Sequence, residues 1–82
     1  MKVRVRLFAS YREAAGKEWL EEELPAGACV RDLLEAVHAR HGLAAGPGRA
    51  LVARNLEYVG LDALLCEGDE VVLLPPLGGG GA

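Results

Sequence analysis

One apolar stripe constrains this chain more than any other feature. Val30, Leu33, Leu34, Val37 and His41 fall at i, i+3, i+4, i+7 and i+11, the spacing of a single amphipathic helix over Val30 to His41. On both sides of it lie short apolar runs punctuated by glycine and proline, which read as strands and turns. One main helix among several short strands must cover one face of a sheet, because the apolar face of a sheet needs a second layer to bury it.

The strands follow from period two. Val3, Val5 and Leu7 alternate with Lys2, Arg4 and Arg6, which predicts a first strand with one face on a core and one in water. Ser10-Tyr11-Arg12-Glu13 has the form of a capping box, so one or two helical turns are expected before Gly16. Lys17 to Leu24 predicts a second strand paired with the first and ending at Pro25-Ala26-Gly27. After the helix stops at Gly42, residues 42–48 are a loop by composition. Leu51-Val52-Ala53 predicts a strand, Glu57 to Val59 a short strand, Leu61 to Leu65 a helical turn, and Glu67-Gly68-Asp69 a tight turn. Glu70 to Leu74 predicts a strongly apolar last strand, suited to a central place beside the first, and Pro75-Pro76 ends its pairing. The sum is an α+β fold with a mixed sheet of four to five strands and one main helix on one face, the outline of a β-grasp. The folded domain is expected over residues 1–77, with a flexible glycine-rich tail over residues 78–82.

Size and charge restrict what such a domain does. With 82 residues the chain is one small domain, and a domain of that size buries about 60 to 65% of its unfolded surface, which disfavours a deep enclosed active site. A net charge of -3 argues against nucleic acid or an anionic membrane as main partner. Cys29 and Cys66 fit neither a disulfide scaffold nor a CxxC pair, and no signal peptide or membrane span is expected, so a cytoplasmic location is. Cys29 stands at a helix N-cap position and Cys66 after an apolar run, where packing accounts for them better than nucleophilic chemistry. Glu35, His38 and His41 share a helix at i, i+3, i+6 but lack a fourth metal ligand, and a solvated helix end explains them better. Glu21-Glu22-Glu23 reads as a solvated strand edge, and Lys2, Arg4 and Arg6 as a basic stripe in solvent. No P-loop lysine follows Gly42, Gly46 and Gly48, and two cysteines are too few for a two-iron cluster.

Two features remain that carry chemistry. The first is an apolar patch: Val72 and Leu74 have the parity opposite to Val71 and Leu73, and Phe8 the parity opposite to Leu7, so Phe8, Leu74 and Leu77 are candidates for a partner surface beside Pro75 and Pro76. Burial of the last strand on both faces within the domain is the alternative. The second is the tail Gly78-Gly79-Gly80-Gly81, which lacks side chains and is suited to thread a narrow tunnel and present a terminal carboxylate to reactants held there.

Leu7-Phe8-Ala9, Arg12-Glu13 with Gly16, Gly68-Asp69-Glu70-Val71, and Leu74-Pro75-Pro76 with a Gly-Gly tail occur in this order over nearly the whole chain. Together they resemble the MoaD/ThiS family of small sulfur carriers. The resemblance implies a ubiquitin-like β-grasp and the role of small subunit of a molybdopterin synthase. An E1-like, MoeB-like enzyme would use ATP to adenylate the C-terminal glycine, and a donor such as a cysteine desulfurase or rhodanese would convert it to a thiocarboxylate. The sulfur would then pass to a precursor pterin in a MoaE-like large subunit, which would supply the catalytic bases. The chain itself would be a non-catalytic sulfur-donor subunit with no cofactor of its own. The Phe-Ala-x-x-Arg-Glu segment favours this branch over thiamine-pathway carriers. A carrier for thiamine or tRNA thiolation, a ubiquitin-like modifier, and a non-catalytic interaction module stand as alternatives. Where the family pattern ends at Gly-Gly, this chain continues through Gly81 to Ala82, so trimming to Gly80 or Gly81 is expected before activation.

Overall fold

The computed structural model describes residues 1–42 and 50–75 of the chain. Strand β1 (Lys2–Leu7) leads through a sharp bend into helix α1 (Ala9–Ala15), then strand β2 (Trp19–Glu23) and helix α2 (Val30–His41). Strands β3 (Leu51–Arg54), β4 (Glu57–Val59) and β5 (Glu70–Leu74) complete a five-stranded sheet in the order β2-β1-β5-β3-β4. β5 lies between β1, to which it is parallel, and β3, to which it is antiparallel, so the most apolar strand is central. This is the α+β, mixed-sheet β-grasp that the sequence predicts.

The register puts one parity of every strand on the core. Val5 pairs with Leu20 and Val71, and Leu73 with Leu7 and Val52. These side chains are buried with Val30, Leu33, Leu34 and Val37 of α2 in one cluster. Side chains of that size each contribute about 1.5 to 3 kcal/mol when removed from water, so this shared layer is the main source of stability.

Both helices end at glycines in the left-handed region. Gly16 has φ 75° and its N–H donates to the Arg12 carbonyl at 2.9 Å, while Gly42 has φ 64° and donates to the His38 carbonyl at 2.8 Å. At the start of α2, Cys29 is the N-cap, and its N–H donates to Asp32 Oδ2 at 3.0 Å.

Three local expectations are corrected. Ser10 does not cap α1: the helix begins two residues earlier, with Phe8 at the N-cap, and the Phe8 side chain makes no capping hydrogen bond. The Phe8 carbonyl instead accepts from Tyr11 and Arg12 N–H at 3.1 and 3.3 Å. Residues Leu61 to Leu65 form no helical turn. The Leu61 and Ala63 carbonyls accept from the Arg31 and Val30 amides at 2.9 Å each, and Leu64 bridges to Cys29, so the segment satisfies free N–H groups at the start of α2. Glu22 is not at a solvated edge. It pairs with Val3 on the core parity and is 2% exposed, with Oε1 3.5 Å from Arg40 Nη1, whereas Glu21 and Glu23 point outward. The expected loop over residues 42–48 lies almost wholly outside the described residues.

Candidate functional site

The opposite parity builds the other face of the sheet. In register across it stand Trp19 beside Arg6, Arg6 beside Val72, Val72 beside Ala53, and Ala53 beside Tyr58, with Leu74 beside Leu51 one step along. Val72 and Leu74 on this side are half-buried rather than enclosed, and neither belongs to the buried core cluster. The one-sided reading of the last strand therefore holds, and burial on both faces does not.

Two neighbourhoods divide this face. Toward β2 it is cationic and aromatic: the Arg4 guanidinium lies 4.4 Å from the Trp19 ring centre, and that of Arg6 lies 5.5 Å from Trp19 and 4.9 Å from Phe8. Arg4 and Arg6 of the basic stripe are thus stacked on aromatic rings rather than simply solvated, while Lys2 is exposed. Toward β4 the face is apolar: Phe8, Ala9, Ser10, Leu51, Tyr58, Leu74 and Pro75 line an open groove of about 440 Å³. Tyr58 is 74% exposed and Leu51 45% exposed.

The groove walls are fixed by the backbone around them. At the bend after β1, Ala9 takes φ 51°, a left-handed conformation unusual for a residue with a Cβ, and this turn sets Phe8 beside the end of β5. The β3–β4 hairpin turns through Asn55 and Leu56 at φ 49° and 75°, the left-handed pair of a tight hairpin turn. Asn55 ties it to β5: its Nδ2 donates to Asp69 Oδ1 at 3.0 Å, and its Oδ1 accepts from Glu70 N–H at 3.0 Å. Asp69 Oδ2 in turn accepts from Cys66 N–H at 2.8 Å. The Gly68-Asp69-Glu70 turn therefore positions the strand that supplies Tyr58.

Of the site residues expected from sequence, Phe8, Leu74 and Pro75 come together in the groove. Pro76, Leu77, Gly78, Gly79, Gly80 and Gly81 lie outside the described residues, as does Ala82. Sequence reasoning missed Leu51, Tyr58 and Trp19. The outward parity of Tyr58 on β4 and of Trp19 on β2 was available, but the cross-strand register that brings Leu51 to Leu74 was not. Among the described residues no cluster of three or more His, Cys, Asp or Glu could hold a metal ion. Glu35 and His38 are exposed on α2, Cys66 is exposed, and Cys29 is half-buried at its cap. The chemistry available to the face is adhesion: an open apolar groove that adjoins the end of β5.

Comparison with known proteins places this geometry. The fold is that of the ubiquitin-like β-grasp proteins, and the sequence profile of the ThiS family matches residues 5–80. The chain belongs to the ThiS family. It is 40% identical over 83 residues to the molybdopterin synthase sulfur carrier subunit of Chlamydomonas reinhardtii, covering 98% of this chain and 100% of that one. The crystal structure of SAMP1 from Haloferax volcanii superposes with TM-score 0.83 at 27% identity, covering 96% and 99% of the two chains. A chain in the complex of subunits 1 and 2 of molybdopterin-converting factor from Helicobacter pylori superposes with TM-score 0.67 at 26% identity, covering 96% and 99%.

Proposed function

We propose that this protein is the sulfur carrier subunit of a molybdopterin synthase and docks on a large subunit through the outer sheet face, with its C-terminal segment delivered into that partner. The observation that carries the reading is the apolar groove of Phe8, Leu51, Tyr58, Leu74 and Pro75 where β5 gives way to the tail. The two-subunit Helicobacter pylori complex and the carrier-subunit relatives support a MoaE-like partner.

The chemistry belongs to the terminal carboxylate. An ionised carboxylate with a pKa of about 3.5 is a poor electrophile until one oxygen becomes part of a leaving group. An E1-like enzyme using ATP would form the acyl-adenylate and release pyrophosphate; the persulfide of a donor would displace AMP to form an acyl disulfide, and a thiol would cleave its S–S bond to leave the thiocarboxylate and a disulfide. The carrier binds no cofactor of its own in this scheme, which operates in the cytoplasm. The family match takes in Gly78, Gly79 and Gly80, and in this scheme the acceptor is Gly80, or Gly81, exposed by trimming of the residues that follow it.

Intact mass tests the scheme directly. Carrier purified from its host and incubated with ATP, an E1-like enzyme and a sulfur donor should end at Gly80 or Gly81 and gain the mass of sulfur replacing oxygen. A chain that ends at Ala82 and is unchanged by the incubation would overturn it. The likeness to SAMP1 favours a second reading, a protein modifier. That reading requires covalent adducts through lysine side chains of other proteins in the same incubation with host extract.

A further inference from the structure

We infer that Glu18 and Arg6 are positioning residues for the docking groove: the Glu18 carboxylate fixes the Arg6 guanidinium, and the guanidinium fixes the Phe8 ring that forms one groove wall. The inference deepens the docking role proposed above and rests on it.

The contacts form a chain in one direction. Arg6 Nε donates to Glu18 Oε2 at 2.9 Å, and Arg6 Nη2 lies 2.7 Å from the same oxygen. Glu18 itself is held beside the end of β1, because its carbonyl accepts from Leu7 N–H at 2.8 Å. The anchored guanidinium then stands 4.9 Å from the centre of the Phe8 ring, with Trp19 at 5.5 Å and Arg4 stacked on Trp19 at 4.4 Å. Phe8 is half-buried and does not belong to the core cluster, so the core does not set its ring orientation. The planar guanidinium over its face does.

Stability alone does not explain the arrangement. The Arg6 and Glu18 side chains are 41% and 39% exposed, and an ion pair at that exposure contributes little to folding. Its consequence falls on the groove, where a preset aromatic wall removes an ordering penalty from docking. Lysine in place of Arg6 would keep the charge and lose the planar stack, which separates orientation from electrostatics.

The test is a double-mutant cycle on the full carrier. Affinity for the large subunit is measured by calorimetry for Arg6→Lys, Phe8→Ala and the double variant, with Glu18→Gln as the milder break, and the melting temperature of each is recorded. Arg6→Lys should weaken binding about fivefold with little change in melting temperature. In the Phe8→Ala background the same change should have no further effect. With thiocarboxylated carrier as substrate, Arg6→Lys should raise KM by the same factor and leave kcat in place. Additive losses from Arg6→Lys and Phe8→Ala would overturn the proposal, because Arg6 would then contact the partner independently. NMR of the free carrier supplies a second readout: Arg6→Lys and Glu18→Gln should each change the ring-current shifts that Phe8 imposes on its groove neighbours, and unchanged shifts would overturn the positioning role. If the unaltered carrier fails to bind the large subunit, the docking role falls, and the ring-current result still decides the positioning claim.

Discussion

The two faces of this sheet are written in alternate residues of the same strands, yet they solve different problems. On the inner parity, Val3, Val5, Leu7, Val71 and Leu73 are fully buried with the stripe of α2. On the outer parity, the same strands show Arg4, Arg6, Val72 and Leu74 with Trp19, Leu51 and Tyr58 beside them. Folding accounts for every inner side chain except Glu22. It does not account for a tyrosine that is 74% exposed next to a groove. The comparison teaches that one parity carries the fold and the other is free to carry recognition, so substitutions on the two faces should separate stability from binding.

The largest effect should come from the inner face. Leu33 is fully buried in α2, and Leu33→Ala should lower unfolding free energy by about 2 to 5 kcal/mol in urea denaturation, through lost transfer energy and the cavity left behind. On the outer face Tyr58→Ala should leave stability within about 0.5 kcal/mol while weakening large-subunit binding about tenfold, a loss of about 1.4 kcal/mol. Equal losses of stability and binding in Tyr58→Ala would erase the division between faces.

Glu22 is the place where the inner face breaks its own rule. Its side chain is 2% exposed, and Oε1 faces Arg40 Nη1 at 3.5 Å with no hydrogen-bond partner among the described residues. Removing a partner from a fully buried pair costs about 3 to 5 kcal/mol, but the Arg40 side chain is 59% exposed, so Arg40→Ala should destabilise by nearer about 1 kcal/mol. Glu22→Met should be neutral or stabilising, because it removes the desolvated charge and keeps the volume. Chemical denaturation of both variants checks the pair, and a large loss in Glu22→Met would show that the carboxylate is held by more than Arg40.

Much of this division was legible in the sequence. The period of 3.6 in α2 and the period of two in β1 and β5 give the elements, and the apolar character of β5 gives its central place. Phe8, Leu74 and Pro75 were legible as a patch by parity and by their nearness to the tail. What escaped depended on register. Nothing in Glu21-Glu22-Glu23 says which of the three turns inward; that follows from pairing Val3 with Glu22. Ser10 failed as a cap because the bend at Ala9 starts the helix early, a backbone choice that residue types alone do not reveal. Leu51 and Tyr58 joined the groove only once β3 was aligned on β5 and β4 on β3.

The smallest predicted effect concerns the two tyrosines that the comparison sets apart. Tyr58 serves the groove, whereas Tyr11 on α1 is 1% exposed and its hydroxyl has no hydrogen-bond partner among the described residues. Burial disfavours the phenolate and raises the Tyr11 pKa above its ordinary value of 10.0. With the folded pKa raised, the unfolded chain ionises first as pH rises, so the folded state holds more protons and stability falls from about pH 10 upward. Below that range the group contributes no pH dependence. Tyr11→Phe removes an unpartnered buried hydroxyl, so stability at pH 7 should be unchanged or higher by less than about 1 kcal/mol. The gap between the variant and the unaltered protein should widen as urea denaturation is repeated from pH 9 to 11. Every other residue is common to both proteins, so the widening isolates Tyr11, and parallel stability curves would show that its hydroxyl reaches water or a partner in solution.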